Sequence, residues 1–340
     1  MVTWRSAGDI KARFFDSQGN PLGGEFGVNA NLAEDQASPA VAALPGGGFV
    51  IAWSELRTAS IAGQVFSATG TRMGPEFSFS TASTNTGSTY FARQISIAAL
   101  SNGSFAVAWQ STNQTGSPGQ DYGSIAAARI VSPQGQVGPE IFFDRGRYEG
   151  RIDAVGLTTG NFVVTYAMNL ANGTAIYGRI LDPTGAAVGA RFEAAPRGSG
   201  GPSLAALPNG GFVMSFGDFT TFSLNVPLRV REFGSAGTYT GLEQTIGTGE
   251  VSAIALLDAA TAIVAYDTDE TQGAARNRGV AARPLTLGTA PTRGPVSVNQ
   301  TFPEFQIAPN VVALSSSSFM VIWSDFSESD GEIRARVFTL

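Results

Sequence analysis

The sequence contains no cysteine and no histidine. Those absences remove disulfides, thiolate nucleophiles, imidazole general bases and the usual zinc ligands. They do not name a compartment, although a chain without thiols is compatible with export. Charge is also scarce. Only 14% of residues are charged, Lys11 is the single lysine among 21 basic residues, and 27 acidic residues leave a net charge of −6. No cluster of basic side chains is available to neutralise phosphates, so nucleic acid is excluded as a partner. No apolar run reaches the roughly 18 residues of a membrane-spanning helix. The start, Met1-Val2-Thr3-Trp4-Arg5, lacks the basic and apolar regions of a signal peptide. Export would then use another signal, or the chain would be part of a longer one. Glycine-rich phosphate loops and serine nucleophile elbows are missing too.

What is present points to strands and tight turns. There are 42 glycines, 17 prolines and 23 phenylalanines, with 43% hydrophobic residues, too apolar for a disordered chain. Length alone would suggest two domains. A repeat fold removes that expectation, because each unit extends one continuous core.

One phrase recurs at intervals of about fifty residues. It has an apolar strand ending in Ala-Leu, a glycine-rich turn, then Phe, alternating apolar residues and an aromatic. The aromatics are Trp53, Trp109, Tyr166, Phe216, Tyr266 and Trp323, with Trp4 as a truncated earlier copy. A second phrase follows, as in Ile10-Lys11-Ala12-Arg13-Phe14-Phe15-Asp16 and Ile176-Tyr177-Gly178-Arg179-Ile180-Leu181-Asp182. A third, Gly-x-Glu-Phe, stands at Gly23–Phe26 and Gly74–Phe77. Each phrase alternates with period two, and the turns carry Pro-Gly-Gly, Ser-Asn-Gly and Pro-Asn-Gly.

Four short antiparallel strands per unit predict an all-β fold, a β-propeller of four-stranded blades. The chain reads as one domain over 1–340, with units at about 22–66, 73–131, 137–181, 188–233, 240–285 and 293–340. Residues 1–16 are a partial repeat or ring-closing strands. Six blades are favoured, with the N-terminal pair completing the last sheet. Seven is the alternative and would need a first blade without its Ala-Leu strand.

The phrases PxVAALxxGGFxVAW and GIxARxFDxxGxxxGxEFxVN resemble repeats of large secreted bacterial proteins, many of which carry calcium-binding RTX repeats. The match is strongest at 8–81 and 91–143. Gly24–Asn29 is a close copy and Pro295–Asn299 a partial one. The resemblance implies a propeller-type architecture and an extracellular or cell-surface location. The chain departs from it in having no Gly-Gly-x-Gly-x-Asp nonapeptides.

Three features are candidate sites. Arginines recur in the second phrase: Arg13, Arg129, Arg179, Arg231, Arg283 and Arg336, with Gln64 in one copy. A residue required in every blade is usually required by the blade, where its fork bridges carbonyls or carboxylates. The alternative is a set of sugar pockets built on Arg129, Arg179, Arg231 and Arg336. The aromatic column reads as packing between blades. Two acidic loops, holding Asp267 and Asp269, and Asp325 and Asp330, have the alternating carboxylates of a hard-cation site for Ca2+, but the spacing is not that of an EF-hand, and a solvated loop is the simpler reading. The sialidase Asp-box is absent. The function expected from these features is a non-catalytic scaffold that contacts other proteins or a matrix. The alternative is a glycan-binding, lectin-like propeller using surface glycans as partners, and a carbohydrate-active enzyme ranks third.

Overall fold

The structure, a computed structural model, describes residues 1–32, 35–81, 91–112, 124–146, 151–170, 173–196, 199–219, 226–272, 275–299, 306–326 and 331–340. Among them every regular element is a strand, so no helix is long and apolar enough to cross a membrane.

Blade 1 holds β1 (Val2–Ser6), β2 (Asp9–Phe15) and β3 (Pro21–Gly27). Blade 2 holds β4 (Gln36–Ala43), β5 (Phe49–Glu55), β6 (Ser60–Phe66) and β7 (Phe77–Ser80). Blade 3 runs through β8 (Phe91–Ala99), β9 (Phe105–Thr112), β10 (Ser124–Val131) and β11 (Val137–Gly146). Blade 4 has β12 (Ile152–Gly156), β13 (Phe162–Leu170), β14 (Gly173–Leu181) and β15 (Phe192–Ala195). Blade 5 has β16 (Ser199–Ala206), β17 (Phe212–Asp218), β18 (Pro227–Phe233) and β19 (Tyr239–Thr248). In blade 6 are β20 (Ser252–Leu256), β21 (Thr261–Gln272), β22 (Ala275–Thr286) and β23 (Val296–Ser297). Blade 7 closes the chain with β24 (Gln306–Ala313), β25 (Ser318–Asp325) and β26 (Glu332–Thr339).

The fold is therefore an all-β propeller of antiparallel blades, and it has seven blades, not the six expected. The reason lies in the pairing of the first strands. Among the described residues β1 pairs with β2 and β2 with β3, so residues 2–27 form a sheet of their own. β24, β25 and β26 form another. The first blade lacks an Ala-Leu strand. The Glu-Phe phrase also pairs backwards: Phe77 lies opposite Gly63 in β6, so each such strand ends the blade before it.

The chain divides into two compact units. One comprises residues 1–15 and 21–194, and the other residues 16–20 and 195–340. In the first unit, the aromatics of blades 2, 3 and 4 each pack onto the blade before. Trp53 and Ile51 meet Ile10 and Ala12. Trp109 and Val107 meet Val50 and Ala52. Tyr166 and Val164 meet Ala106 and Ala108. In the second unit, Tyr266 and Val264 meet Val213 and Val230, and Trp323 and Val321 meet Ile263 and Ala265. The aromatic column is buried throughout, consistent with packing.

Two recurrent devices shape the blades. The turns after the Ala-Leu phrase and after the second phrase share one geometry. In Leu100–Ser104 and Asp16–Asn20, the first amide donates to the carbonyl four residues on, and the glycine at the fourth position donates back to the first carbonyl. Gly103 and Gly19 take φ of +85° and +83° there, which a side chain would strain. The second device is a bulge before proline in the first strand of a blade. Pairing slips between Ala37 and Ala40, Gly200 and Ser203, and Ile307 and Asn310. Proline has no amide to give the ladder, and a bulge is where its absence costs least.

Candidate functional site

Four of the recurrent arginines bond main-chain carbonyls. Arg13 Nε donates to the Gly23 carbonyl at 3.0 Å, Arg129 to Gly138 at 2.8 Å and Arg283 to Arg293 at 2.9 Å. Gln64 does the same to Gly74 at 3.1 Å. Arg283 also reaches the Ile246 carbonyl of the preceding blade, and Arg336 reaches that of Val298. Arg231 differs: its Nε meets Glu243 at 2.5 Å, between the rings of Phe216 and Tyr239. Arg179 lies opposite Val164 in β13. These residues stand one to a blade and are not brought together.

The side chains gathered at one end of the blades are different ones. Just after the aromatic in the second strand, the second unit places Asp218 and Asp325 two residues on and Asp267 one residue on. Each is held by an arginine of the next strand. Arg229 lies 3.2 Å from Asp218, Arg278 3.2 Å from Asp267, and Arg334 3.0 Å from Asp325. Each arginine also holds a glutamate. Glu243 lies 3.3 Å from Arg229, Glu250 2.7 Å from Arg278 and Glu332 3.2 Å from Arg334. Three successive blades thus each carry an Asp–Arg–Glu triad, with the glutamate drawn from the fourth strand β19, from the segment before β20 and from the start of β26.

Burial differs sharply within two of the triads. The side chains of Asp267 and Asp325 are 2% and 3% exposed, whereas those of Glu250 and Glu332 are 44% and 53% exposed. The aspartate anchors the guanidinium, and the guanidinium presents the glutamate to solvent. Asp267 Oδ1 also accepts the amides of Glu250 and Val251 at 2.9 and 2.7 Å, which fixes the glutamate's own backbone. Desolvation nevertheless dominates at Asp267 and raises its pKa above the usual carboxylate value, against the pull of those amides and of Arg278. Asp325 is further held by Gln306 at 3.2 Å.

Of the residues proposed for Ca2+, Asp267 and Asp325 therefore face guanidinium groups. The side chain of Asp269 and the whole of Asp330 lie outside the described residues. Among the described residues no group of three or more acidic side chains is gathered to hold a metal ion. Sequence reading missed Arg229, Arg278 and Arg334. Arg229 and Arg334 precede the recurrent arginine by two residues but Arg278 precedes it by five, so they form no column. The available signal was an aspartate within two residues of the aromatic in three consecutive units.

The architecture is that of a seven-bladed propeller, and its likenesses are to proteins of that size. No protein-family model and no curated protein matches the chain. Among solved structures, a protein of unknown function from Dyadobacter fermentans is similar with a TM-score of 0.61 and 12% identity over 97% of this chain and 98% of its own. The α-L-arabinofuranosidase Arb93A from Fusarium graminearum gives 0.60 and 12% over 97% of both chains. An α-L-arabinanase from Penicillium chrysogenum gives 0.55 and 13% over 89% of this chain and 93% of its own. At these identities the likeness is one of fold. It does correct the expectation of a non-catalytic scaffold. That expectation rested on finding no catalytic constellation in a propeller, and near-full-length counterparts of this propeller are glycan-cleaving enzymes.

Proposed function

We propose that the chain acts on glycans as a glycoside-cleaving propeller, with arabinose-containing polysaccharides as the first substrate class. The observation that carries the reading is the pair Glu250 and Glu332. They are two exposed carboxylates in successive blades, each presented by an arginine anchored on a buried aspartate. Glycoside hydrolysis needs two carboxyl groups, one to protonate the leaving oxygen and one to attack the anomeric carbon or activate water. The guanidinium groups paired with them suit sugar hydroxyls.

The test is release of aryl alcohol from an aryl arabinofuranoside and of reducing ends from arabinan. Glu250→Gln and Glu332→Gln are each expected to lower turnover at least about 100-fold without lowering the melting temperature. A wild-type protein that neither hydrolyses arabinan nor is retarded by it in native gels would refute the reading.

A second reading has its own support. Glu243, Glu250 and Glu332 are each paired with a guanidinium, and such a pair can hydrogen-bond sugar hydroxyls without any bond being broken. The same groups would then bind glycans without cleaving them, as a lectin-like propeller. Retardation by arabinan with no turnover selects this reading. The repeat resemblance supports an extracellular site of action, which is tested by following the full-length protein in culture supernatant.

A further inference from the structure

Two phenylalanines stand at the triad end of the second unit, each directly after a triad aspartate. Phe219 follows Asp218 and Phe326 follows Asp325. They are 39% and 45% exposed. A solitary exposed apolar side chain is ordinary. These two are exposed beside charged groups, and both are seated on glycine.

Gly200 and Gly217 lie opposite one another in β16 and β17. A Cβ on Gly217 would come within 2.9 Å of the Phe219 ring, and one on Gly200 within 3.2 Å. The ring rests where two side chains are missing. The position after the aromatic carries Ser54, Gln110, Ala167, Asp267 and Ser324 in blades 2, 3, 4, 6 and 7, so the seat is particular to blade 5. Phe326 is seated against Gly331, where a Cβ would come within 3.1 Å of its ring. Blade 6 lies between the two, with β20 against both β16 and β24.

A sugar ring has hydroxyls at its rim and a C–H face that is apolar. The triads offer carboxylate and guanidinium partners for the rim. A flat ring held in place beside them offers a partner for the face, at little cost in side-chain entropy. We infer that Phe219 and Phe326 are sugar-stacking platforms on either side of the Asp267–Arg278–Glu250 triad, and that the site takes a chain of several sugars. The inference rests on the glycan reading above.

Phe219→Ala, Phe326→Ala, Phe219→Trp and Glu250→Gln separate the two. Each alanine variant is expected to raise KM for arabinan about five- to tenfold and to weaken retardation by arabinan in native gels. The rise should be smaller for a single-sugar aryl arabinofuranoside than for arabinan, since one ring occupies at most one platform. Phe219→Trp should restore the wild-type KM. Alanine variants with wild-type KM and retardation, alongside a Glu250→Gln protein that has lost turnover, overturn the stacking role and leave the glycan reading intact. A lowered melting temperature with unchanged arabinan affinity also overturns it, because the rings would then serve only to cover the glycines. A wild-type protein without affinity for arabinan overturns both.

Discussion

Gly63 and Gly178 show how closely single residues are matched to their neighbours. They occupy the same point of the third strand in blades 2 and 4. A Cβ on either would come within 2.2 Å of a ring atom, Phe77 over Gly63 and Phe192 over Gly178. The phenylalanine of the Gly-x-Glu-Phe phrase, and its counterpart in blade 4, are thus received by a glycine. Gly178→Ala should overpack this contact and cost about 1–3 kcal/mol in urea unfolding, with Gly63→Ala similar. Asp267 makes the second residue-scale case. Its folded pKa is raised, so across the window above an ordinary aspartate pKa the folded state holds more protons than the unfolded one. Its contribution to stability is present below the unfolded pKa and is lost as pH rises through the folded pKa. Asp267→Asn should remove that decline from the pH dependence of the urea midpoint. Asp16, Asp182 and Asp258 act in the opposite sense. Turn hydrogen bonds lower their pKa values, so their contribution is lost as pH falls through them.

At the scale of elements, the Val-Asn pair ending the third phrase acts as a clasp. Asn29 Oδ1 accepts the Ile10 amide at 2.8 Å, and its amide donates to Asp9 and to Gln36 of the next blade. Asn299 repeats this in the second unit, accepting from Val280 at 2.8 Å and donating to Gln306. All four Asn and Gln residues are buried. Asn29→Ala or Asn299→Ala would strand a buried amide and leave the glutamine without its donor, so each should cost about 1–3 kcal/mol in equilibrium unfolding. Aspartate, as the isostere that accepts but cannot donate, should recover part of the loss. The clasp gives a structural reason for the phrase Gly24–Asn29 and its partial copy at Pro295–Asn299. The bulges before Pro39, Pro202 and Pro309 are a comparable device, re-aiming the first strand as it enters the blade.

For the whole molecule, a net charge of −6 with few charged residues means that long-range electrostatics contribute little to binding a neutral polysaccharide. Retardation by arabinan should therefore change less than about twofold between low and 0.5 M salt, whereas binding driven by counterion release would fall steeply. Much of the architecture was legible before any coordinates. Period-two alternation, the turn glycines and the recurring aromatic specify local geometry and the face each strand buries, and neighbouring residues along the chain carry both. The blade count was not legible, because it depends on which strand Pro21–Gly27 pairs with. Both choices satisfy the same alternation, and only the hydrogen bonds to β2 decide between them. The site was legible in part. Asp267 and Asp325 stood out as acidic, but their partners Arg278 and Arg334 lie across the sheet in another strand. A repeat makes its structural residues conspicuous because they recur at fixed offsets. The triads form where offsets vary, so they exist only once the strands are paired. The sequence alone therefore determined the strands, the turns and the packing column. Tertiary structure alone decided how the strands group into seven blades and which charges meet at their ends.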